Sequence, residues 1–368
     1  MIYLDSAATS LLKPPSVVRA TAMAMRTMAS PGRGGHSAAM RAADTVFTCR
    51  EAAAELFHVP EPERVVFTMN ATHALNIAIR SLVSPGDPVV ISGYEHNSVT
   101  RPLHALGAQV RVAESSLFEP EAAVSAFRRA LPGAKAVVCT MVSNVFGYLL
   151  PVREIAELCA AAGVPLIVDA SQAAGCVELD AAELGAAFVA MPGHKGLLGP
   201  QGTGILLCFA QPKPLLCGGT GSQSVLQDMP EELPDRLEAG THNVPGIAGL
   251  LAGIRYLSAQ GVENIERRER RLAQLRAEPR LEVFASPDPA CQTAVLSVRC
   301  RDMDSELLAQ KLAQYGIAVR AGLHCAPVAH RTAGTLETGT VRLSLSPFNT
   351  DAEIARTARV FHEILRTG

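Results

Sequence analysis

The sequence lacks any run of 18 or more apolar residues, so it offers no candidate for a membrane-spanning helix. Its opening residues, Met-Ile-Tyr-Leu-Asp, lack a basic stretch followed by an apolar one, so no secretory leader is expected. A Lys/Arg stripe is also missing. Charged residues make up 18% of the chain and the formal net charge is -2, which argues against an electrostatic nucleic-acid footprint. Arg267, Arg268, Arg270 and Arg271 form one basic cluster, but Glu266 and Glu269 are interleaved with it, as on a solvated helix face. The nine cysteines are odd in number and include no Cys-x-x-Cys pair, which argues against a zinc site or a disulfide framework. A reducing, cytoplasmic setting and no metal are therefore expected. Nucleotide motifs fail as well. The Gly-rich run at 199–204 lacks the Walker order of glycine followed by Lys-Ser/Thr, and no Gly-x-Gly-x-x-Gly follows the first strand-like segment.

What is present is apolar bulk. Over 368 residues, 48% are apolar, ample for a large core and about two domains. Short Val/Ile/Leu runs at 65–68, 89–92, 136–140, 166–168, 188–191 and 205–208 are continuous rather than alternating, as in strands covered on both faces. Helical patterns at 72–82, 119–130 and 152–162 lie between them, and Pro-Gly pairs at 85–86 and 132–133 mark breaks. This alternation predicts an α/β fold with a mainly parallel sheet. After about residue 250 the pattern changes. A long helix is expected over 253–278, then a smaller α+β unit with strands at 294–298 and 341–346 and helices at 305–315 and 351–366. The expected division is a large domain at 13–250 and a small one formed by 1–12 and 251–368. The Pro/Gly-rich stretch 211–234 reads as a long irregular loop, a kind often functional in compact domains.

Three features carry chemistry. The apolar run at 166–168 ends in Asp169, where an α/β sheet places ligand-binding groups, although one strand-end acid can equally cap a turn. Lys195 follows another apolar run and is flanked by Gly193, His194 and Gly196. A lone lysine is ordinarily a surface residue. One just past a buried strand can instead condense with a carbonyl cofactor, and an acid can keep the ring nitrogen of pyridoxal 5'-phosphate (PLP) protonated. Third, the strand at 65–68 runs through Met69 and Asn70 directly into a helix at Ala71 and Thr72. Its free N–H groups suit a phosphate, or else Asn70 or Thr72 is an ordinary cap.

Seven segments occur in order: Tyr-Leu-Asp-Ser-Ala-Ala-Thr at 3–9, Tyr-Glu-His-Asn at 94–97, Val-Ser-Asn-Val-Phe-Gly at 142–147, Asp-Ala-Ser-Gln at 169–172, Gly-His-Lys at 193–195, Glu-Ala-Gly-Thr at 238–241, and Arg-Ala-Gly-Leu-His-Cys-Ala at 320–326. Together they resemble the class V aminotransferase-fold PLP enzymes, most closely the SufS-type (group II) cysteine desulfurases and selenocysteine lyases. The resemblance spans nearly the whole chain. It implies the fold type I of PLP-dependent transferases, with a mainly parallel seven-stranded sheet in the large domain. It implies Lys195 as the covalent anchor, Asp169 at the pyridine nitrogen, Gln172 on the ring oxygen and His96 stacked on the ring. It further implies a phosphate held by the N–H groups of Ala71 and Thr72 with His194, and by Thr241 from a second subunit, hence a homodimer. Asn144 and Arg342 would position the substrate carboxylate, with Arg320 beside the catalytic loop. Two segments depart from the pattern: Pro192 stands where a Ser or Thr usually contacts the phosphate, and Gly-Gly-Thr-Gly-Ser at 218–222 replaces a Gly-Gly-Gly-Glu-like stretch.

Cys325 matches the family's persulfide-forming nucleophile. The other eight cysteines read as inert and buried, with Cys139 and Cys208 inside apolar strands. Cys325 lies in a glycine-containing loop expected to be exposed, with His324 adjacent and Arg320 five residues back, an electropositive setting of the kind that stabilises a thiolate. The resemblance thus implies conversion of L-cysteine to L-alanine, with sulfur passed through Cys325 to an acceptor protein. The alternatives are a lyase acting on L-selenocysteine, another class V outcome such as epimerisation or transamination, and a PLP-binding scaffold with little turnover.

Overall fold

The computed structural model describes residues 1–32, 34–269 and 280–367. Its strands, in chain order, are β1 (Ile2–Tyr3), β2 (Val65–Thr68), β3 (Pro88–Ser92), β4 (Gln109–Ala113), β5 (Ala136–Thr140), β6 (Leu166–Asp169), β7 (Phe188–Pro192), β8 (Gly204–Cys208), β9 (Leu281–Phe284), β10 (Val295–Cys300), β11 (Ile317–Ala318), β12 (Arg320–Gly322) and β13 (Thr340–Ser344).

Seven strands form one sheet in the order β2-β8-β7-β6-β5-β3-β4. The pairs β3–β4, β3–β5, β5–β6 and β6–β7 are parallel, whereas β8 is antiparallel to both neighbours. Strand side chains alternate between faces, and the two faces bury two separate apolar clusters. Val65, Phe67, Val90, Val137, Val168, Val189 and Ile205 enter one. Val66, Val89, Ile91, Val138, Ile167, Phe188 and Leu206 enter the other. Each such side chain contributes roughly 1.5–3 kcal/mol of burial. Double coverage is why these strands read as unbroken apolar runs. The edge strand β4 was not anticipated, because Gln-Val-Arg-Val-Ala exposes most of its residues at the sheet margin.

The second layer is the antiparallel sheet β12-β13-β10-β9, with β1 paired to β11 beside it. Ile2 and Leu4 share its apolar cluster with Leu281, Leu296, Leu343 and Phe361, so the chain's first residues pack with its last hundred. Helices Ser305–Gln314 and Asp351–Thr367 fall where the periodicity placed them. The long helix does not. A helix runs over Val244–Gln260, crossing residue 250, and its buried face joins a cluster of the large sheet. Gly261, at φ 75°, then breaks it, and Val262–Glu269 follows. Residues 270–278 of the expected helix, with Arg270 and Arg271, lie outside the described residues. The stretch 211–234 carries no helix or strand, as its composition indicated.

A buried ion pair lies just past this irregular stretch. Glu238 takes Arg50 Nη2 on one oxygen and the Phe67 N–H at 2.7 Å on the other, and His242 Nε2 lies 3.0 Å away. Burial, the largest single influence, would raise the Glu238 pKa, but the Arg50 charge together with the hydrogen bonds from His242 and Arg50 outweighs it and the pKa is lowered. The carboxylate therefore contributes stability above the ordinary carboxylate range and loses it as pH falls through the depressed value. Arg50→Ala removes the guanidinium from a buried carboxylate and leaves it only His242 and the Phe67 N–H. It is expected to cost about 3–5 kcal/mol, read as a lowered urea midpoint with unchanged m-value.

Candidate active site

The carboxyl ends of β3, β5, β6 and β7 point to one edge of the large sheet, and the loops that follow them enclose a cleft of about 610 Å³. Asp169 closes β6 and is almost fully buried, and one of its oxygens accepts the Ser171 N–H at 2.9 Å. Lys195 sits in the tight turn after β7 and lines the same cleft. The turn demands glycine on both sides. A Cβ on Gly193 would lie 2.1 Å from Thr203 Oγ1, and one on Gly196 2.3 Å from the Ala174 carbonyl oxygen. Burial pushes the Lys195 ammonium down to about 8, although the Asp169 charge opposes it.

The helix Ala71–Leu82 starts at the cleft wall. Asn70 Oδ1 accepts the His73 N–H at 2.9 Å, so Asn70 is the cap. The Ala71 and Thr72 N–H groups have no intrahelical acceptor, and both residues line the cleft. Thr72 Oγ1 meets Ser98 Oγ at 2.7 Å, and Ser98 reaches His96 Nδ1 through its hydroxyl at 2.9 Å and its N–H at 3.0 Å. Because Nδ1 accepts a backbone N–H, the neutral His96 ring carries its proton on Nε2. Burial holds His96 down to about 4, against the pull of Asp169.

Of the other residues expected here, Gln172 and His194 line the cleft. Gln172 Nε2 donates to the Ala7 carbonyl at 3.0 Å, and His194 Nδ1 meets Thr9 Oγ1 at 3.0 Å. Burial lowers His194 to about 4, so it is a neutral hydrogen-bonding group. Asn144 also lines the cleft. Its Nδ2 donates to the His324 carbonyl at 2.8 Å, and its Oδ1 is buried without a partner. Arg342 lies behind Asn144, donating to the Asn144 carbonyl at 3.0 Å and to Asp5 Oδ1 at 2.8 Å, with Nε unpartnered. Arg320 is exposed and faces Arg342 across the β12–β13 register. Neither arginine lines the cleft, and Thr241 lies in another one. It lines a separate cleft of about 730 Å³ with His73, Glu238 and Asn243, away from Lys195 of its own chain.

Cys325 is exposed, as its loop indicated, and it lines a groove of about 780 Å³ that shares Thr72, His96 and Ser98 with the Lys195 cleft. The loop is tied down from the large sheet's side: the Asn97 N–H donates to the Cys325 carbonyl at 2.8 Å, and Asn144 holds that of His324. His324 and Cys325 lie at φ 49° and 56°, the one consecutive left-handed non-glycine pair among the described residues. Such backbone costs about 1–3 kcal/mol per residue and persists where its surroundings hold it. Two expectations need correction. His324 supplies no positive charge, since burial first and Arg342 second push it to about 2, and its Nε2 is engaged 3.2 Å from Thr340. Nor are all eight other cysteines buried. Cys217 is exposed in the irregular stretch, and Cys176 and Cys291 are half-buried.

Sequence reasoning missed Glu95, Ser98, Thr9 and Asp5. Glu95 is fully buried, accepting Ser92 Oγ at 2.5 Å and the Thr140 N–H at 2.6 Å. Burial raises it to about 8, so at neutral pH it places no second negative charge beside Asp169. A polar residue inside the 94–97 segment was the available signal for it; Asp5 and Thr9 act across 337 and 185 residues of sequence, beyond any local pattern.

The Aminotransferase class-V family model matches residues 2–357. The chain belongs to that family. This class V chain is 34% identical to a probable cysteine desulfurase of Methanothermobacter thermautotrophicus, over 100% of its own length and 95% of that protein's. It is 32% identical to the cysteine desulfurase CsdA of Escherichia coli, over 96% and 91%. The apo structure of a cysteine desulfurase from Thermococcus onnurineus NA1 superposes with a TM-score of 0.90 at 30% identity, covering 100% of this chain and 95% of that one. Among the described residues no helix is long and apolar enough to cross a membrane, and no group of three or more His, Cys, Asp or Glu is placed to hold a metal ion.

Class V enzymes are PLP-dependent, and the cleft fits the cofactor. It offers an amine, a buried carboxylate, a helix N-terminus with open N–H groups, and a buried amide oxygen without a partner. A pH dependence follows. Only the neutral amine attacks an aldehyde, and a lysine lowered to about 8 becomes neutral more than two pH units earlier than an ordinary one. The rate at which the cofactor-free protein condenses with added PLP is expected to rise with pH and level off above about 8. A rise continuing to pH 10 and beyond would contradict the desolvated amine.

Proposed function

We propose that the chain is a cysteine desulfurase of the SufS-type subgroup, converting L-cysteine to L-alanine and passing sulfur through Cys325 to an acceptor protein. The observation that carries this reading is that the Lys195–Asp169 cleft and the Cys325 groove share His96, Thr72 and Ser98, so an acid–base centre and a thiol border one space.

Lys195 would anchor PLP covalently, Asp169 would hold its ring nitrogen charged, Gln172 would bond its ring oxygen, and His96 would cover its face. Ala71, Thr72 and His194 would bind the phosphate. Bound PLP supplies an aldehyde for the amino group and an electron-withdrawing ring that acidifies the substrate Cα–H. Asn144 Oδ1 and the free Arg342 Nε are the unsatisfied buried groups available to orient the substrate. Lys195 takes the Cα proton as general base, which its lowered pKa favours near neutrality. The Cys325 thiolate attacks the substrate sulfur, the Cβ–S bond breaks with its electron pair left on the carbon side, which takes a proton at Cβ on the way to alanine, and the sulfur remains on Cys325 as a persulfide. His96, neutral and holding a proton on Nε2, would exchange protons with the substrate. Thr241, remote from Lys195 of its own chain, supports a homodimer in which it completes the partner's phosphate site.

The test is one turnover. PLP-loaded protein mixed with one equivalent of L-cysteine is expected to yield one equivalent of alanine and a Cys325 peptide carrying one extra sulfur by mass spectrometry. Alanine without added sulfur on that peptide, or sulfur on another cysteine, would reject the assignment.

A further inference from the structure

The groove at Cys325 has a character the desulfurase chemistry does not require. It runs between the helices Ala71–Leu82 and Asn97–Ala105, one contributing Asn76 and Arg80, the other Asn97, Arg101 and Pro102. No carboxylate lines it. Arg80 and Arg101 are both exposed, and neither has an acidic partner among the described residues. Surface arginines elsewhere are mixed: Arg64, Arg153, Arg280 and Arg299 have carboxylate partners, whereas the exposed Arg128 and Arg129 have none among the described residues, so what sets the groove apart is two guanidiniums beside a thiol with no carboxylate in its wall. In a chain of net charge -2, two unpaired guanidiniums flanking an exposed thiol mark a local reversal of sign. Clefts of one sign concentrate partners of the other.

We propose that this groove docks an acidic segment of the sulfur-accepting protein, its carboxylates on Arg80 and Arg101 and its cysteine at Cys325. The inference rests on the desulfurase reading and names the acceptor's chemistry. The guanidiniums belong to different helices and the groove is open, which matches carboxylates spaced along an extended chain. Sulfur moves without an outside oxidant or reductant. The acceptor thiol, giving up its proton, attacks the outer sulfur of the Cys325 persulfide. The S–S bond breaks with its electron pair on Cys325 Sγ, which takes a proton, and the acceptor leaves as the persulfide.

The experiment uses the PLP-loaded protein and two synthetic peptides with one cysteine each, flanked by glutamates in one and by lysines in the other. After loading with one equivalent of L-cysteine, transfer to the acidic peptide is expected to be at least about tenfold faster at low salt, as electrostatic steering allows. The advantage is expected to collapse near 1 M salt, where the screening length falls to about 3 Å. Arg80→Gln/Arg101→Gln is expected to remove the preference while first-turnover alanine yield is retained. Equal rates for the two peptides, or a preference that survives the double variant, overturns the proposal. So does mercaptoacetate matching the acidic peptide at equal concentration, which would assign the groove to any small anionic thiol. A cysteine-free acidic peptide followed by fluorescence anisotropy reads docking without sulfur chemistry. Tight binding to the wild type lost in the double variant supports the groove even where no persulfide forms, an outcome that rejects only the desulfurase reading; no difference in binding rejects the groove even where the persulfide forms.

Discussion

Lys195→Ala is expected to lower cysteine turnover by about 10⁴-fold or more and to leave the purified protein colourless after dialysis against PLP-free buffer. Two losses coincide. The amine proposed to anchor the cofactor is gone, and so is the proposed general base for the Cα proton, a role worth about 10²–10⁴-fold by itself. Lys195→Arg separates charge from chemistry. The guanidinium keeps the positive charge beside Asp169 but neither condenses with an aldehyde nor gives up a proton near neutrality, so it is expected to be as inactive as the alanine variant. A misfolded protein would mimic this result. Near-ultraviolet circular dichroism and the urea midpoint of the two variants are therefore expected to stay close to wild type, since Lys195 lines a cleft and supports no apolar cluster. Activity within tenfold of wild type in either variant would remove Lys195 from the centre of the mechanism.

The large sheet was legible because its strands are covered on both faces, which leaves continuous apolar runs such as 136–140 and 188–191. Where coverage ends, legibility ends too. Strand β4 alternates at the sheet edge, and β1, β11 and β12 have two or three residues each. The helix after residue 250 was misplaced for a different reason. Polar and apolar residues continue in helical phase past Gly261, and only its positive φ shows that the chain turns there. The cleft was legible where chemistry sits at strand ends, at Asp169 and Lys195. Its supporting contacts were not. Arg342 is held by Asp5 from the far end of the chain and by the Asn144 carbonyl, and of the two cations expected near Cys325, His324 and Arg320, the first is made neutral by burial. Burial of one imidazole is a property of the assembled fold that adjacency in sequence does not carry.

Cys325→Ala is expected to keep the yellow colour and the affinity for cysteine but to lower alanine formation by about 10³-fold, a conservative figure for a nucleophile acting within a concerted site. The structure gives reason to expect this separation. Cys325 lines the groove beside the Lys195 cleft and is absent from the cleft's own wall. The loop's backbone is fixed by Asn97 and Asn144 through its carbonyls, so truncating the side chain leaves the left-handed geometry in place. Cys325→Ser retains the volume and polarity but is a far weaker nucleophile toward sulfur, and it is expected to behave like the alanine variant. Selenocysteine supplies the internal control. Selenium leaves Cβ more readily than sulfur, so its elimination depends less on attack by Cys325, and the same substitution is expected to cost much less on that substrate. A loss of equal size on both substrates, with colour also lost, would mean that Cys325 supports the cofactor site; an equal loss with colour retained would mean that the nucleophile is required whichever chalcogen departs.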